Sequence, residues 1–273
     1  MSPLEVVVVL AAGFAAGAIN VVVGAGTLIS FPAMVMLGFP PLTATMSNSL
    51  GIVPGSASGA FAYRREIRRL WPTARMMLPA SIAGGVLGAT LLLTFGAEVF
   101  SAVVPWLIAL GTVLVLVNPL VKRWLEARHA ERSGHAAPLS TPAMDAEQPA
   151  FRSRGALIGT IVAVFLIGTY GGYFSAAQGV LFLGAVGISS TLHMQDVNAL
   201  KNLTVLGVNL IAATVYLFTA PELIHWGLVA LLAIGATCGG LVGGRYARRI
   251  PAPLLRAFVA VVGTVATIVM LTT

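Results

Sequence analysis

The chain has 273 residues, of which 58% are hydrophobic and only 9% charged, with a mean hydropathy of +0.93. A soluble globular domain carries about a quarter of its residues as charges, so that class is excluded and an all-α integral membrane protein is expected. The 16 Lys and Arg give a net charge of +7, but they cluster in short segments between apolar runs; this reads as loop charge facing the cytoplasm and argues against a nucleic-acid partner.

Apolar segments fall at 4–23, 27–38, 42–62, 72–95, 99–121, 153–175, 180–190, 197–219, 226–244 and 253–272. Most reach the roughly 20 residues needed to cross a hydrocarbon core about 30 Å thick. The second and seventh are too short. They follow Gly24-Ala25-Gly26 and Gln178-Gly179, which look like breaks where unwound backbone meets a half-helix. Such breaks are tolerated at membrane depth only inside protein or along a cavity. The start, Met1 to Glu5, has no basic n-region, and no cleaved signal peptide is expected.

The two halves repeat. Laying Gly17 on Gly171 also lays Asn48 on Asn202. One residue further, Trp71 meets Trp226, and Gly84-Gly85-Val86-Leu87-Gly88 meets Gly239-Gly240-Leu241-Val242-Gly243. The basic loops swap places between the halves: Arg64-Arg65-Glu66-Ile67-Arg68-Arg69 is matched by Pro221-Glu222-Leu223-Ile224-His225. Conversely, the stretch 94–98, which has no Lys or Arg, is matched by the basic stretch 245–249. Under the positive-inside rule this predicts two inverted-topology repeats of about five helical segments each, 1–121 and 153–273, with short broken helices after the first segment of each. A flexible cytoplasmic linker, 122–152, would join them. Arg64–Arg75, Lys122–Arg154 and Arg245–Arg249 then lie inside and both termini outside. The alternative, with segments two and seven re-entrant, strands one Arg cluster outside.

Segment eight carries a lysine and three asparagines: Asn198, Lys201, Asn202 and Asn209, at i, i+3, i+4 and i+11, share one helix face. A cation so far from the ends of an apolar run costs about 2.5–3.5 kcal/mol, so it faces protein or a watery cavity. In segment three Thr45, Asn48, Ser49 and Ser56 repeat that spacing. Segment one adds Asn20, and segment six adds Tyr170, Tyr173, Ser175 and Gln178. The expected site is a midplane pocket of Asn20, Asn48, Ser49, Gln178, Lys201, Asn202 and Asn209, closed by backbone N–H groups at Gly24, Gly26 and Gly179. Ammonium, amide, hydroxyl and backbone donors together suit a small anion. The competing reading makes these residues helix glue, with Lys201 snorkelling or held by a carbonyl; for Ser47, Ser56 and Ser58 glue is the preferred reading.

Asp196, five residues before Lys201, reads as an N-cap. Pro54 should bend segment three. Gly51, Gly55 and Gly59, like Gly235, Gly239 and Gly243, are spaced for close helix packing. His193 and His225 lie near helix ends and are expected in solvent. Cys238, the single cysteine, offers neither a disulfide nor a thiolate site. There is no Walker loop, zinc helix or nucleophile elbow, so no catalytic residue, metal or cofactor is expected and the chain does not read as an enzyme.

The stretches Gly17–Pro32, Ala44–Ser56, Tyr63-Arg64-Arg65-Glu66, Gly171–Gly179 and Ala199–Asn202 carry a resemblance. In them the chain resembles the sulfite exporter TauE/SafE family, also called the toluene sulfonate uptake permease family. The resemblance covers nearly everything but the linker. Where the family has a fuller glycine run after segment one, Ala25 interrupts it here, and Gln178 stands at the matching place. The resemblance implies a multi-pass secondary transporter of the plasma (inner) membrane, moving sulfite, sulfonates or related oxyanions, often outward. An anion channel, or a carrier for another small organic anion, would use the same residues. The implied partners are the anion and the bilayer, and the exposed Gly and Ala faces allow a homodimer.

Overall fold

A computed structural model describes residues 1–132, 150–151, 153–246 and 252–272. Every apolar segment is helical, and among the described residues the only strand-like pairing is one isolated bridge between Phe151 and Ser190. The first half comprises α1 (Pro3–Val22), α2 (Thr27–Met36), α3 (Pro41–Gly51), α4 (Val53–Ala62), α5 (Arg64–Arg69) and α6 (Trp71–Arg132). The second comprises α7 (Arg154–Tyr173), α8 (Gln178–Ser189), α9 (Met194–Thr219), α10 (Trp226–Tyr246) and α11 (Ala252–Thr272).

Local chemistry sets the ends. α1 opens with a capping box: the Glu5 N–H donates to the Ser2 hydroxyl at 3.3 Å, and the Ser2 N–H donates to the Glu5 carboxylate at 3.0 Å. Segment three is bent at Ile52, as Pro54 leads one to expect: Ile52 keeps helical backbone (φ −85°, ψ −11°), and the Ile52 and Ser56 N–H groups still reach the Asn48 and Ile52 carbonyls at 2.9 Å, while Pro54 supplies no N–H. The apolar part of α6, Trp71–Leu120, has 50 residues, about 75 Å if straight and more than twice the hydrocarbon core. It is broken at Gly96, whose φ of 72° and ψ of −173° suit only glycine. The limbs 71–95 and 97–120 match expected segments four and five. The helix runs on to Arg132, into the stretch expected as linker; residues 133–149 and 152, and the arginines at 248 and 249, lie outside the described residues.

Among the described residues, five helices, α1, α6, α7, α9 and α10, are long and apolar enough to cross a membrane. Their outward surface is apolar, with Phe218 81%, Leu4 69% and Trp106 65% exposed, as lipid contact requires. α2 and α8, at 10 and 12 residues, each cover about half of the core.

Two close helix pairs cross between the halves, α1 on α10 and the first limb of α6 on α7. Their contacts correspond: Gly13 on Leu232 with Gly168 on Ser81, Gly17 on Ala236 with Gly172 on Gly85, and Gly239 on Phe14 with Gly88 on Thr169. In this register Gly239 is the counterpart of Gly88, one helical turn from the match that the glycine pairs alone indicate. A side chain at Gly17, Gly88, Gly168, Gly172 or Gly239 would enter the facing backbone, and one at Gly13 would press on it at 3.2 Å. Gly17→Leu is therefore expected to destabilise the bundle by about 3 kcal/mol or more, read as a fall in the detergent unfolding midpoint; an unchanged midpoint would contradict this packing.

Candidate functional site

The two breaks meet. Just past the end of α1 the chain turns at Gly24, with φ +81°, and α8 begins at Gln178-Gly179. The Gly179 N–H donates to the Gly24 carbonyl at 3.0 Å. A Cβ on either glycine would lie 2.5 Å from the Cα of the other, so only glycine permits the approach. Ser175 and Ala177, at φ 63° and 56°, hold left-handed backbone just before α8; each costs about 1–2 kcal/mol, the kind of strain that gathers at functional sites. Phe31, Phe100 and Phe174 brace this region edge to face, with Phe31 and Phe174 centroids 5.0 Å apart.

Lys201 projects from α9 into this crossing and is fully buried. Its ammonium donates to the carbonyls of Val21 at 2.9 Å and Asn20 at 3.3 Å. These belong to the last turn of α1, whose carbonyls lack helical partners and carry the negative end of the helix dipole. The countercharge they supply is partial. Asp196 is neither N-cap nor partner to Lys201: His193 occupies the N-cap position, and Asp196 pairs with Arg69.

A hydrogen-bonded chain crosses beside the breaks. Asn20 Nδ2 and Asn209 Nδ2 both donate to the Ser56 hydroxyl, at 3.1 and 3.2 Å, and the Ser175 hydroxyl donates to Asn209 Oδ1 at 2.9 Å. All four residues are buried. Ser56, read from sequence as glue, is the hub that ties α4 to α1 and α9. Ser56→Ala would leave two buried amide N–H groups without their acceptor, and a cost of about 1–2 kcal/mol is expected, measured as a lowered melting temperature in detergent.

The other expected residues are placed differently. Asn48 is pinned to the start of α2, accepting from the Ser30 hydroxyl at 2.5 Å and donating to the Thr27 hydroxyl at 3.3 Å. The Ser49 hydroxyl bonds back to the Thr45 carbonyl, and Asn202 Nδ2 to the Asn198 carbonyl, each within its own helix. Gly26 packs against Ala16 and Asn20 of α1. Asn20, Gly24, Gly179, Lys201 and Asn209 therefore form one cluster, while Asn48 joins it only through α2. Thr27 and Ser30, absent from the expected set, share an i, i+3 face that was legible in the short segment. His193 is exposed as expected, but His225 is half-buried: its N–H donates to the Ser47 hydroxyl, and Nδ1 accepts from Leu228 N–H, capping α10.

Gln178, at the first position of α8, lies directly on Gly171, and its Oε1 is buried without a protein partner among the described residues. The hydroxyls of Tyr170 and Thr45 are in the same condition. Buried polar atoms of this kind mark places where water or a solute supplies the bond. A buried ammonium held by backbone dipoles, beside strained backbone and unsatisfied polar atoms, can donate to the oxygens of a small anion.

The family model for sulfite exporter TauE/SafE matches residues 9–270 of the chain. A probable membrane transporter protein, ORF9, of Sinorhizobium sp is 28% identical over 262 residues, covering 92% of this chain and 86% of that protein. A probable membrane transporter protein of Haemophilus influenzae is 25% identical over 261 residues, with coverage of 91% and 88%. The probable membrane transporter protein YfcA of Escherichia coli is 23% identical over 273 residues, with coverage of 97% and 89%.

Proposed function

The chain belongs to the sulfite exporter TauE/SafE family, and on that premise we propose that it is a secondary transporter exporting small sulfur oxyanions, such as sulfite or organosulfonates, across the plasma membrane. The observation that carries this reading is Lys201, a fully buried cation whose contacts include the carbonyls of Asn20 and Val21. An ionisable side chain buried at membrane depth is the kind of group that marks an ion pathway, and a cation there favours an arriving anion. A bound oxyanion would take Lys201 from the α1 carbonyls and receive further bonds from the amide of Asn20 and the backbone around Gly24 and Gly179.

Access would alternate by rocking one inverted half against the other around the contact of the two breaks. The correspondence of the α1–α10 and α6–α7 contacts supports that arrangement. The membrane potential, worth about 2.3 kcal/mol per charge per 100 mV, favours anion exit from a cell that is negative inside. The test is uptake of labelled sulfite and of an organosulfonate by proteoliposomes holding the purified protein. Saturable uptake above protein-free liposomes is expected for at least one of them. If neither moves faster than in protein-free liposomes, the assignment of substrate fails.

A further inference from the structure

A second polar cluster lies at the end of the bundle that carries the arginines. Arg65, Glu66, Arg69, Gln195 and Asp196 line a cavity of about 280 Å³, room for one oxyanion with several waters at about 30 Å³ each. Across it Arg69 forms an ion pair with Asp196, joining α5 to the first turn of α9. Two residues further along α9, Asn198 Nδ2 donates to the Tyr63 hydroxyl at 2.7 Å. These bonds tie the stretch 63–69 to the start of the helix that carries Lys201. From Asp196 to Lys201 is about 7.5 Å along the helix axis. Between them Asn198 Oδ1 is buried without a protein partner among the described residues, a place for water or a solute to bond.

The pair is asymmetric. The Arg69 side chain is 63% exposed and that of Asp196 only 10%. An anion arriving from water therefore meets Arg69 first, and a guanidinium fork donates to an oxyanion as readily as to a carboxylate. Asp196, once it has lost its partner, is a nearly buried charge, and that is tolerated only if the start of α9 moves toward water.

We propose that this cavity is an oxyanion vestibule and that the Arg69–Asp196 pair is its latch. A sulfite-type oxyanion takes Arg69 from Asp196, α5 releases the start of α9, and Lys201 becomes reachable from this side. The choice of oxyanion rests on the transport function proposed above; the latch itself does not.

The test uses the full chain in inside-out vesicles, with Cys238→Ala to remove the native thiol and Thr204→Cys as a reporter. The Thr204 hydroxyl bonds to the Leu200 and Lys201 carbonyls of its own helix, so a thiol is accommodated there. A membrane-impermeant maleimide should label the reporter slowly without substrate. Asp196→Asn, and separately Arg69→Gln, should speed labelling about tenfold, and the exchange Arg69→Asp with Asp196→Arg should restore the slow rate. Added sulfite should speed labelling of the parent but not of Arg65→Gln. Equal labelling of the parent and both latch variants would overturn the latch. Sulfite that is transported in proteoliposomes yet leaves labelling unchanged would overturn the vestibule while leaving the transport function standing. If sulfite is neither transported nor felt by the reporter, while Asp196→Asn still labels faster, the substrate assignment falls and the vestibule with it.

Discussion

Lys201→Met should lower sulfite flux at least about 100-fold, the effect of roughly 2.7 kcal/mol, while the protein still folds. Two terms decide the folding. Removing an ammonium from the apolar interior gains about 2.5–3.5 kcal/mol, and the two lost bonds to the Asn20 and Val21 carbonyls cost about 1.5–3 kcal/mol each. The losses, about 3–6 kcal/mol together, exceed the gain by roughly 1–2 kcal/mol at mid-range, so a modest destabilisation is expected. Methionine is unbranched and of similar length, so it leaves no large cavity. Transport has no such compensation, because losing one partner of a buried charged contact costs about 2–5 kcal/mol. Flux in proteoliposomes at matched protein content, with elution as one species as the control for folding, checks this. Near-normal flux by a folded Lys201→Met protein would make Lys201 structural.

Gly24→Ala should lower the melting temperature in detergent by about 10 °C, at roughly 2–4 °C per kcal/mol. Two costs add. Its φ of +81° is strained for alanine, at about 1–2 kcal/mol, and the new Cβ would sit 2.5 Å from the Gly179 Cα, which adds about 1–3 kcal/mol of overpacking. Gly38 separates the two costs. It has φ +88°, and a Cβ added there would meet nothing within 4 Å, so Gly38→Ala should carry the strain alone. Gly179→Ala, which meets the Gly24 Cα at 2.5 Å without a positive φ, should carry the overpacking alone. Equal, small shifts in Gly24→Ala and Gly38→Ala would mean that the breaks do not rely on touching.

The helices were legible because apolar length is a strong signal in a chain that must satisfy its backbone internally. Even the short segment at 27–38 emerges as Thr27–Met36. The register of the glycine contacts between the halves was harder to read. Glycines recur every four residues at 235, 239 and 243, so the match of Gly84-Gly85 to Gly239-Gly240 has a competitor one turn away, and the contacts with Phe14 and Thr169 favour that competitor. Much of the site was hidden for a different reason. The partners of Lys201 include the carbonyls of Asn20 and Val21, and every residue has a carbonyl, so no letter announces it. Ser56 and Asn48 lie on the same expected face, yet one becomes a hub shared by two asparagines and the other is held by α2. Spacing identifies a face, whereas the choice between glue and ligand depends on what the neighbouring helix brings. Asp196 shows the same limit, since its partner Arg69 is 127 residues away in sequence.

If the cluster around Lys201 and the two breaks is the site of an oxyanion carrier, that carrier exchanges its substrate by alternating access. The most direct test is counterflow: proteoliposomes loaded with unlabelled sulfite are diluted into a trace of labelled sulfite, with wild-type protein beside Lys201→Met. A carrier gives transient accumulation of label above equilibrium in the wild type and none in the variant. Label that only equilibrates, with no overshoot at any loading, would show a pore and contradict the carrier mechanism.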